Sequence, residues 1–376
     1  MASDFQAFIK PAGSRCNLAC DYCYYRDKDS PYPFMDEATL EAVIVRHLEA
    51  CPDEVIQFSW HGGEPTILGL EYFRKIMEMQ RRLIPPGRTV CNGIQTNGTL
   101  LDEAWGRFLA DESFYVRISL DGPQEMHDKF RRTRERKSSF EETMRGLSLL
   151  KRFGVNHEIL CVVSVANASH PLAVYRYFKA LGVPFITFLP LVEPPDSIHQ
   201  ERSVIAEMWG DFLCNIFDEW KREDIGSVKI QIFEETVRPA FGQDHTLCLF
   251  KKRCGRVPVI ESSGEVYSCD HYVNDDFRLG NIREDSLGSL MGSSKQKSFG
   301  QAKWKTLPRY CRECEVLESC FGGCPKDRFV QTPDGEPGLN ALCEGYKHFF
   351  THIRPFVEQV SALWKESGAG RKEPSR

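Results

Sequence analysis

Short apolar runs alternate with amphipathic stretches along the first half of the chain. The runs Val55–Trp60 and Tyr115–Leu120 have the length and boundaries of buried strands. The stretch Asp36–Leu48 places apolar residues at helical spacing, and Asp36 is suited to cap that helix. Because strands alternate with helices, the pattern predicts an α/β fold with a parallel sheet, as a partial or complete barrel. Further strands are predicted at Phe5–Lys10, Ile159–Val165 and Phe185–Leu191, and a further helix carries Phe140, Met144, Leu147 and Leu150.

The pattern changes after the paired prolines Pro194–Pro195. Apolar runs on both sides of Ser262–Gly264 predict a hairpin, and a last helix is expected from Ala341 towards Trp364. The polar tail 367–376 is expected to be disordered. A stripe of apolar residues predicts a helix that faces the core, and its members are Ile205, Met208, Trp209, Phe212, Leu213, Ile216 and Trp220.

Four polar or glycine-rich motifs each follow directly after a predicted strand. In parallel α/β folds, the carboxyl ends of the strands form the edge where ligands bind. We therefore expect a functional site at that edge. The four motifs are Cys16–Cys23, His61–Pro65, Gln95–Gly98 and Ser119–Pro123.

Composition narrows the class of protein. The net charge of −5 gives no basic excess for nucleic acid, and no apolar run of about 18 residues indicates a membrane span. The segment Met1–Lys10 lacks the pattern of a secretory leader, so the cytoplasm is the expected location. Fifteen cysteines in a reducing compartment indicate metal or cluster ligation rather than disulfides. Four of them lie singly and are interpreted as small buried hydrophobes: Cys51, Cys91, Cys161 and Cys214.

The first cysteine motif has the spacing CxxxCxxC, formed by Cys16, Cys20 and Cys23. Four-iron clusters are usually held by four cysteines, so three local thiolates would leave one iron open. The alternative, a structural zinc site, requires four protein ligands. The motif resembles the signature of radical S-adenosylmethionine enzymes. The resemblance implies that S-adenosylmethionine binds the open iron and is reductively cleaved to a 5′-deoxyadenosyl radical.

The resemblance extends to Gly62-Gly63-Glu64-Pro65, which is similar to the glycine-rich element that contacts the cofactor's amino group in that family. Glycines permit close backbone approach, and Glu64 is able to pair with an ammonium group. Arg131 begins a basic run to Lys137, so a solvated face is the alternative interpretation for this residue. The cofactor contacts implied by the resemblance are Tyr22, Gly62, Gly63, Glu64, Ser119 on the ribose and Arg131 on the carboxylate.

A second cysteine group occupies the last third of the chain. Its eight thiols are the complete ligand set for two further four-iron clusters, which makes three 4Fe–4S clusters in total. A pair of zinc sites that staple the fold is the alternative. The spacing resembles the SPASM extension of radical enzymes that modify peptides. That resemblance implies one cluster on Cys248, Cys254, Cys269 and Cys324, and another on Cys311, Cys314, Cys320 and Cys343.

Within this class, the chain resembles the anaerobic sulfatase-maturating enzymes from about Phe5 to Val357. The resemblance implies a partial (β/α)6 TIM-type barrel over residues 1–235 and a cysteine-rich SPASM-like domain over residues 236–366. It also implies oxidation of a cysteine or serine in a sulfatase to Cα-formylglycine by a 5′-deoxyadenosyl radical mechanism.

Asp270, next to Cys269, matches the catalytic aspartate of that family, and Tyr25 matches a tyrosine near it. Burial would raise the pKa of such a carboxyl group towards that of a general base. An ordinary loop aspartate is the alternative for Asp270, and simple packing beside the cluster is the alternative for Tyr25.

The partners implied by the resemblance are an unfolded or nascent sulfatase segment and an electron donor such as flavodoxin or ferredoxin. No nucleic acid or membrane partner is expected. Another peptide-modifying radical enzyme, such as a thioether-forming maturase, is the alternative within this class. A zinc-stapled, non-catalytic binding protein is the alternative from a different class.

Overall fold

The computed structural model describes residues 6–25 and 33–367. Most of the predicted tail 367–376 lies outside the described residues, as does Phe5 of the first predicted strand. The chain divides into two compact units. Unit 1 comprises Met1–Leu120, Gln124–Leu160 and Gly255–Gln301, and unit 2 comprises Asp121–Pro123, Cys161–Cys254 and Ala302–Arg376.

Strands and helices alternate through most of the described chain. The strands are β1 Ala7–Ile9, β2 Val55–Trp60, β3 Thr89–Thr96, β4 Tyr115–Ser119, β5 His157–Val163, β6 Phe185–Pro190, β7 Lys229–Ile230, β8 Val259–Ile260, β9 Glu265–Tyr267, β10 Arg278–Asn281, β11 Val330–Gln331 and β12 Pro337–Leu339. The helices are α1 Glu37–Ala50, α2 Leu70–Leu83, α3 Glu103–Asp111, α4 Gln124–Phe130, α5 Phe140–Arg152, α6 Pro171–Ala180, α7 Ala206–Glu223, α8 Gln231–Val237, α9 Leu287–Gly292, α10 Ser294–Lys305, α11 Arg309–Arg312, α12 Leu317–Cys320 and α13 Cys343–Glu366.

The sheet of unit 1 has the strand order β10-β9-β8-β1-β2-β3-β4-β5. All pairs from β8 to β5 are parallel, which confirms the predicted parallel sheet. The pairs β8–β9 and β9–β10 are antiparallel, and β8–β9 is the predicted hairpin. In this arrangement β8, β1 and β2 are neighbours that all present their carboxyl ends at the same edge.

Helix α1 begins where the sequence predicts. The Asp36 side chain accepts a hydrogen bond of 2.7 Å from the Thr39 backbone N–H, which is the expected N-cap contact. The apolar residues at helical spacing are buried, namely Leu40, Val43, Ile44 and Leu48. Their burial fixes α1 against unit 1, in agreement with the amphipathic pattern.

In unit 2, α7 and α13 approach closely because both carry glycine at the contact. A Cβ atom on Gly210 would lie 3.0 Å from the Gly345 Cα atom. Most of the predicted apolar stripe of α7 is buried, including Trp209 and Trp220. Ile205 is an exception, since 57% of it is exposed. It is the N-cap with extended backbone, and therefore lies outside the helical stripe.

Three of the four single cysteines are buried as expected: Cys51, Cys161 and Cys214. The expectation is wrong for Cys91, which is exposed. Side chains of a strand alternate between its two faces, and in β3 the buried face carries Asn92, Ile94 and Thr96. Cys91 therefore lies on the opposite face. No helix among residues 6–25 and 33–367 is long and apolar enough to cross a membrane.

Candidate active site

The loop that follows β1 brings together the three cysteines of the first motif. Cys16, Cys20 and Cys23 are all partly buried. Burial, together with the nearby charges of Glu64, Cys20 and Cys23, raises the pKa of the Cys16 thiol to about 12. The three thiols therefore lie close enough to influence one another, as shared ligation of one cluster requires.

The Gly62–Gly63 turn lies directly against the chain that enters the cysteine loop. The Gly63 N–H donates to the Gly13 carbonyl at 2.8 Å, and the Glu64 N–H donates to the Arg15 carbonyl at 2.8 Å. A Cβ atom on Gly63 would lie 2.1 Å from the Arg15 carbonyl oxygen, and Gly62 has φ +112°. Only glycine fits such a cradle, and this close approach fits the predicted cofactor element beside the cluster.

Glu64 is buried and joins the carboxyl ends of β2 and β3. Its Oε1 atom accepts from the Thr66 hydroxyl at 2.6 Å and from the Thr96 hydroxyl at 2.7 Å, and its Oε2 atom accepts from the Asn97 N–H at 2.7 Å. Burial raises the pKa of Glu64, although these hydrogen bonds oppose that shift. A carboxylate oxygen accepts about two hydrogen bonds, so Oε2 retains capacity for an ammonium donor. That pairing stays a prediction.

Arg131 does not belong to the solvated basic run. It is 7% exposed, whereas Arg134 and Arg136 are exposed at the surface. Its guanidinium carbon lies 5.4 Å from the centroid of the Tyr22 ring, within the range of a cation–π contact. Ser119, the last residue of β4, is also buried. Tyr22 and Arg131, which were predicted as cofactor contacts, therefore lie together.

Asp270 is buried in a network of charged and phenolic groups. Its Oδ1 atom forms an ion pair with the ammonium group of Lys10, and its Oδ2 atom accepts a hydrogen bond from the Tyr24 hydroxyl. Lys10 is fully buried, and its Nζ atom also lies 3.5 Å from Oε1 of Glu261. The Tyr25 hydroxyl donates to Oε2 of Glu261. Tyr25 therefore lies near the aspartate, whose charge raises the pKa of its hydroxyl group, but the direct hydrogen bond to Asp270 comes from Tyr24.

The pKa of Asp270 differs from the expectation of a raised value. Burial raises the pKa of this carboxyl group, but the ammonium group of Lys10, with smaller contributions from His61 and His271, lowers it more in sum. The net pKa lies well below the ordinary value for aspartate, so Asp270 is a carboxylate at neutral pH. For His61, burial lowers the pKa to about 4. The expectation from burial alone is wrong because the buried carboxylate has a buried cation beside it.

Lys10, His61 and Glu261 were assigned no role from the sequence, and only His61 lay in a predicted motif, His61–Pro65. Each directly follows a strand: β1, β2 and β8 respectively. These three strands are parallel neighbours, and the backbone links them, since the Lys10 N–H donates to the Ile260 carbonyl at 2.9 Å. The available signal was an ionisable residue directly after each apolar strand, at the edge where the sequence already placed four motifs.

The seven C-terminal cysteines of unit 2 divide into two sets according to which thiols influence one another electrostatically. In the first set, the thiol of Cys248 raises the pKa of both Cys254 and Cys324, although burial is the larger cause for each. In the second set, burial and the charges of the other three members together raise the pKa of Cys343 to about 12. The members of the second set are Cys311, Cys314, Cys320 and Cys343.

The two sets contain the cysteines that the resemblance implies for the two auxiliary clusters. The exception is Cys269, a predicted ligand of the first of these clusters, which belongs to unit 1. The chemistry of these thiols fits iron–sulfur ligation. In the part of the chain that the structure describes, no three His, Cys, Asp or Glu side chains form a group that could hold a single metal ion. The assignment of each cysteine to a cluster stays a prediction.

Comparison with known proteins agrees with this geometry. The family model of the Radical SAM superfamily matches residues 11–190, and the SPASM iron–sulfur cluster-binding domain matches residues 248–315. The solved structure of native anSMEcpe with bound AdoMet and Kp18Cys peptide has a TM-score of 0.89 and 34% identity, over 95% of this chain and 99% of that chain. The fold and the site thus define a radical S-adenosylmethionine enzyme with a C-terminal SPASM domain, as predicted.

Similar proteins of known type identify the family. The serine-type anaerobic sulfatase-maturating enzyme of Bacteroides thetaiotaomicron is 41% identical over 95% of this chain and 91% of its own length. The cysteine-type enzyme of Clostridium perfringens is 34% identical over 94% of this chain and 97% of its own length. The chain belongs to the anaerobic sulfatase-maturating enzymes. The alternatives of a thioether-forming maturase and of a non-catalytic zinc protein are therefore wrong.

Proposed function

We propose that this enzyme oxidises a serine or cysteine side chain of a sulfatase to Cα-formylglycine, with Asp270 as the general base. The observation that carries this role is the buried Asp270 carboxylate, which an ion pair with Lys10 and a hydrogen bond from Tyr24 hold next to the predicted cluster ligand Cys269. The similar proteins include both serine-type and cysteine-type enzymes, so both side chains are proposed as substrates.

The same proposal assigns the cofactors. Cys16, Cys20 and Cys23 would hold the first cluster, and S-adenosylmethionine would contact that cluster and the Gly62–Gly63 turn, which lies 2.8 Å from the chain that enters the cysteine loop. When bound, the cofactor would supply the radical chemistry that removes a hydrogen atom from the substrate Cβ, and the auxiliary clusters would provide the acceptor for one electron. The remaining proposed cofactor contacts are Tyr22, Glu64, Ser119 and Arg131.

The chain's own residues account for the proton. Oxidation of a serine alcohol to an aldehyde, or of a cysteine thiol to a thioaldehyde, removes one hydrogen atom, one proton and one electron. Water then hydrolyses the thioaldehyde to the aldehyde, and hydrogen sulfide is released. Asp270 is ionised, so its carboxylate is ready to accept the proton from the substrate hydroxyl or thiol. Lys10 stabilises the ionised form, and Tyr24 fixes the orientation of the carboxylate by donating to Oδ2.

The proposal also includes partners, location and domains. The substrate would be an unfolded or nascent segment of a sulfatase; in support, a similar enzyme has been solved with a bound peptide. Flavodoxin or ferredoxin would supply electrons, and the reaction would take place in the cytoplasm. The catalytic barrel would span residues 1–235, and the auxiliary-cluster domain would span residues 236–366.

The test is anaerobic incubation of the reconstituted enzyme with S-adenosylmethionine, a reductant and a pair of sulfatase-motif peptides that differ only in carrying serine or cysteine. Mass spectrometry should find an aldehyde at that position in at least one peptide. A third peptide with alanine at the position is the control and should stay unchanged. Cofactor cleavage without any aldehyde would contradict the proposed function.

A further inference from the structure

Two cationic side chains, one buried and one partly buried, lie among the auxiliary cysteines of unit 2. Lys303 is 1% exposed, and its ammonium group donates to the carbonyl oxygens of Cys248 at 2.6 Å and Leu249 at 2.7 Å. Arg328 is partly buried, and desolvation lowers the pKa of its guanidinium group below the ordinary value for arginine. A guanidinium remains charged under all ordinary conditions.

Arg328 is held rigidly by the turn that connects two of the cysteines. Its Nε atom donates to the Gly322 carbonyl at 2.9 Å, one Nη atom donates to the Lys303 carbonyl at 2.6 Å, and the other donates to the Phe321 carbonyl at 2.8 Å. All of these acceptors are neutral. In the part of the chain that the structure describes, neither Arg328 nor Lys303 forms an ion pair with a carboxylate, so both positive charges remain uncompensated by acidic side chains.

The two cations hydrogen-bond to backbone that carries members of both thiol sets. Arg328 donates to the carbonyls of Phe321 and Gly322, in the turn between Cys320 of the second set and Cys324 of the first set. Lys303 donates to the carbonyl of Cys248 in the first set, and its own carbonyl accepts from Arg328. The two cations therefore lie where they can stabilise negative charge on either set of thiolates.

We propose that Arg328, assisted by Lys303, raises the reduction potentials of the two auxiliary clusters, so that both accept an electron more readily. The inference rests on the proposed function in one respect, namely that the two thiol sets hold clusters. A cluster with four thiolate ligands is anionic, and reduction adds one more negative charge. A buried cation nearby stabilises the reduced state, and net charge and hydrogen bonding are among the properties that set cluster potentials. Arg328 acts through the clusters and is a positioning residue.

The test is a redox titration of the fully reconstituted enzyme, followed by electron paramagnetic resonance, for the wild type and for Arg328→Gln. We expect the one-electron reduction equilibrium of at least one auxiliary cluster to become tenfold or more less favourable, which is a fall of about 59 mV. Arg328→Lys retains the charge but loses most of the hydrogen bonds, so it should keep a potential close to that of the wild type. A merely structural role predicts instead that Lys fails as Gln does.

The matched control is Arg312→Gln, which removes an exposed arginine from the same unit, next to Cys311. Solvent screens that charge, so the potentials should not move. Unchanged potentials in Arg328→Gln at full iron content would overturn the inference. If Arg328→Gln loses iron, Lys303→Gln replaces it, and an unchanged potential there overturns the inference equally. A wild type without auxiliary iron would instead contradict the proposed function, so the two failures are distinguishable.

Discussion

At the scale of single residues, Lys10 determines the chemical state of the proposed base. Its ammonium group pairs with Asp270, and it also lies 3.5 Å from Glu261. Its Nζ atom lies 3.7 Å from the centroid of the Tyr25 ring, so the ring face adds to its stabilisation. One cation therefore forms ion pairs with two carboxylates in the interior of unit 1. Without it, burial would favour the neutral form of Asp270, which cannot accept a proton.

Replacement of Asp270 by Asn should separate hydrogen abstraction from proton removal. Asn has nearly the same size but cannot accept the proton, so aldehyde formation should fall by about 10²–10⁴-fold. Production of 5′-deoxyadenosine should persist, which chromatography of the same reaction measures. Asp275→Asn, a change at an exposed position nearby, is the matched control and should retain full activity. Normal aldehyde yield from Asp270→Asn would remove this residue from the mechanism.

Replacement of Lys10 by Met should destabilise the protein strongly. The change leaves Asp270 buried without its counter-ion, and removal of one partner from a buried pair costs about 3–5 kcal/mol. Urea-induced unfolding of the anaerobic protein measures the loss. Lys75→Met removes an exposed ammonium that lies 3.1 Å from Glu37, and this control should cost less than about 1 kcal/mol. Equal losses in the two variants would contradict the assigned role of Lys10.

Only some residues of the network around Asp270 could be predicted from the sequence. Asp270 was predictable because it adjoins Cys269, a member of a recognisable cysteine pattern. Lys10 was not, because its burial depends on the pairing of β1 with β8, two strands that lie some 250 residues apart in the chain. Tyr24 and Tyr25 are consecutive, and only the path of the turn decides which of them faces Asp270. Local spacing carries no information about either point.

At the scale of elements, helix α1 shows how a local pattern and a tertiary contact combine. Its cap and apolar face were predicted, but the pattern did not account for His47, which is fully buried. The Nε2 atom of His47 lies 2.9 Å from the Gln57 carbonyl of β2, and its ring packs edge-on against Phe58. Burial lowers the pKa of His47 to about 4, so α1 is docked through a neutral imidazole.

His47 should make the stability of unit 1 dependent on pH. In the unfolded chain the pKa of a histidine is about 6.5, so the unfolded state binds more protons between pH 6.5 and 4. Stability therefore falls as the pH decreases through this window, by about 2 kcal/mol at pH 5 for this one residue. His47→Gln should flatten the curve of unfolding free energy against pH. His170→Gln, at an exposed position, is the control, and equal flattening in both variants would contradict the account.

The contact between α7 and α13 gives a second prediction at this scale. Alanine normally stabilises a helix relative to glycine by about 1 kcal/mol. A Cβ atom on Gly345, however, would lie 2.1 Å from the Ala206 carbonyl oxygen, so Gly345→Ala should lower the stability of unit 2 by about 3 kcal/mol. In α9, a Cβ atom on Gly288 meets nothing within 4 Å, so Gly288→Ala should be neutral or stabilising. Thermal unfolding of both variants distinguishes these outcomes.

At the scale of the whole molecule, the cysteines divide into the proposed cluster ligands and four single residues, of which three are buried and Cys91 is exposed. Spacing alone identified the dense groups, since closely spaced thiols such as CxxxCxxC and the C-terminal run are typical of cluster ligation. It could not assign thiols to sets, because a set joins residues that are distant in the chain, such as Cys248 and Cys324. It also could not identify Cys91 as exposed, because that depends on which face of β3 is covered.

The iron content of the reconstituted enzyme tests this division. Three clusters of four irons predict about twelve irons per chain. The triple replacement of Cys16, Cys20 and Cys23 by Ala should leave about eight, because the C-terminal thiols do not depend on the first loop for their ligands. The same variant should form no 5′-deoxyadenosine, because the open iron that would bind the cofactor is lost. Cys91→Ala and Cys214→Ala are the matched controls, and both should retain the full iron content and cofactor cleavage. A wild type with about four irons and bound zinc would contradict the assignment of the C-terminal cysteines, whereas cofactor cleavage by the triple variant would contradict that of the first motif.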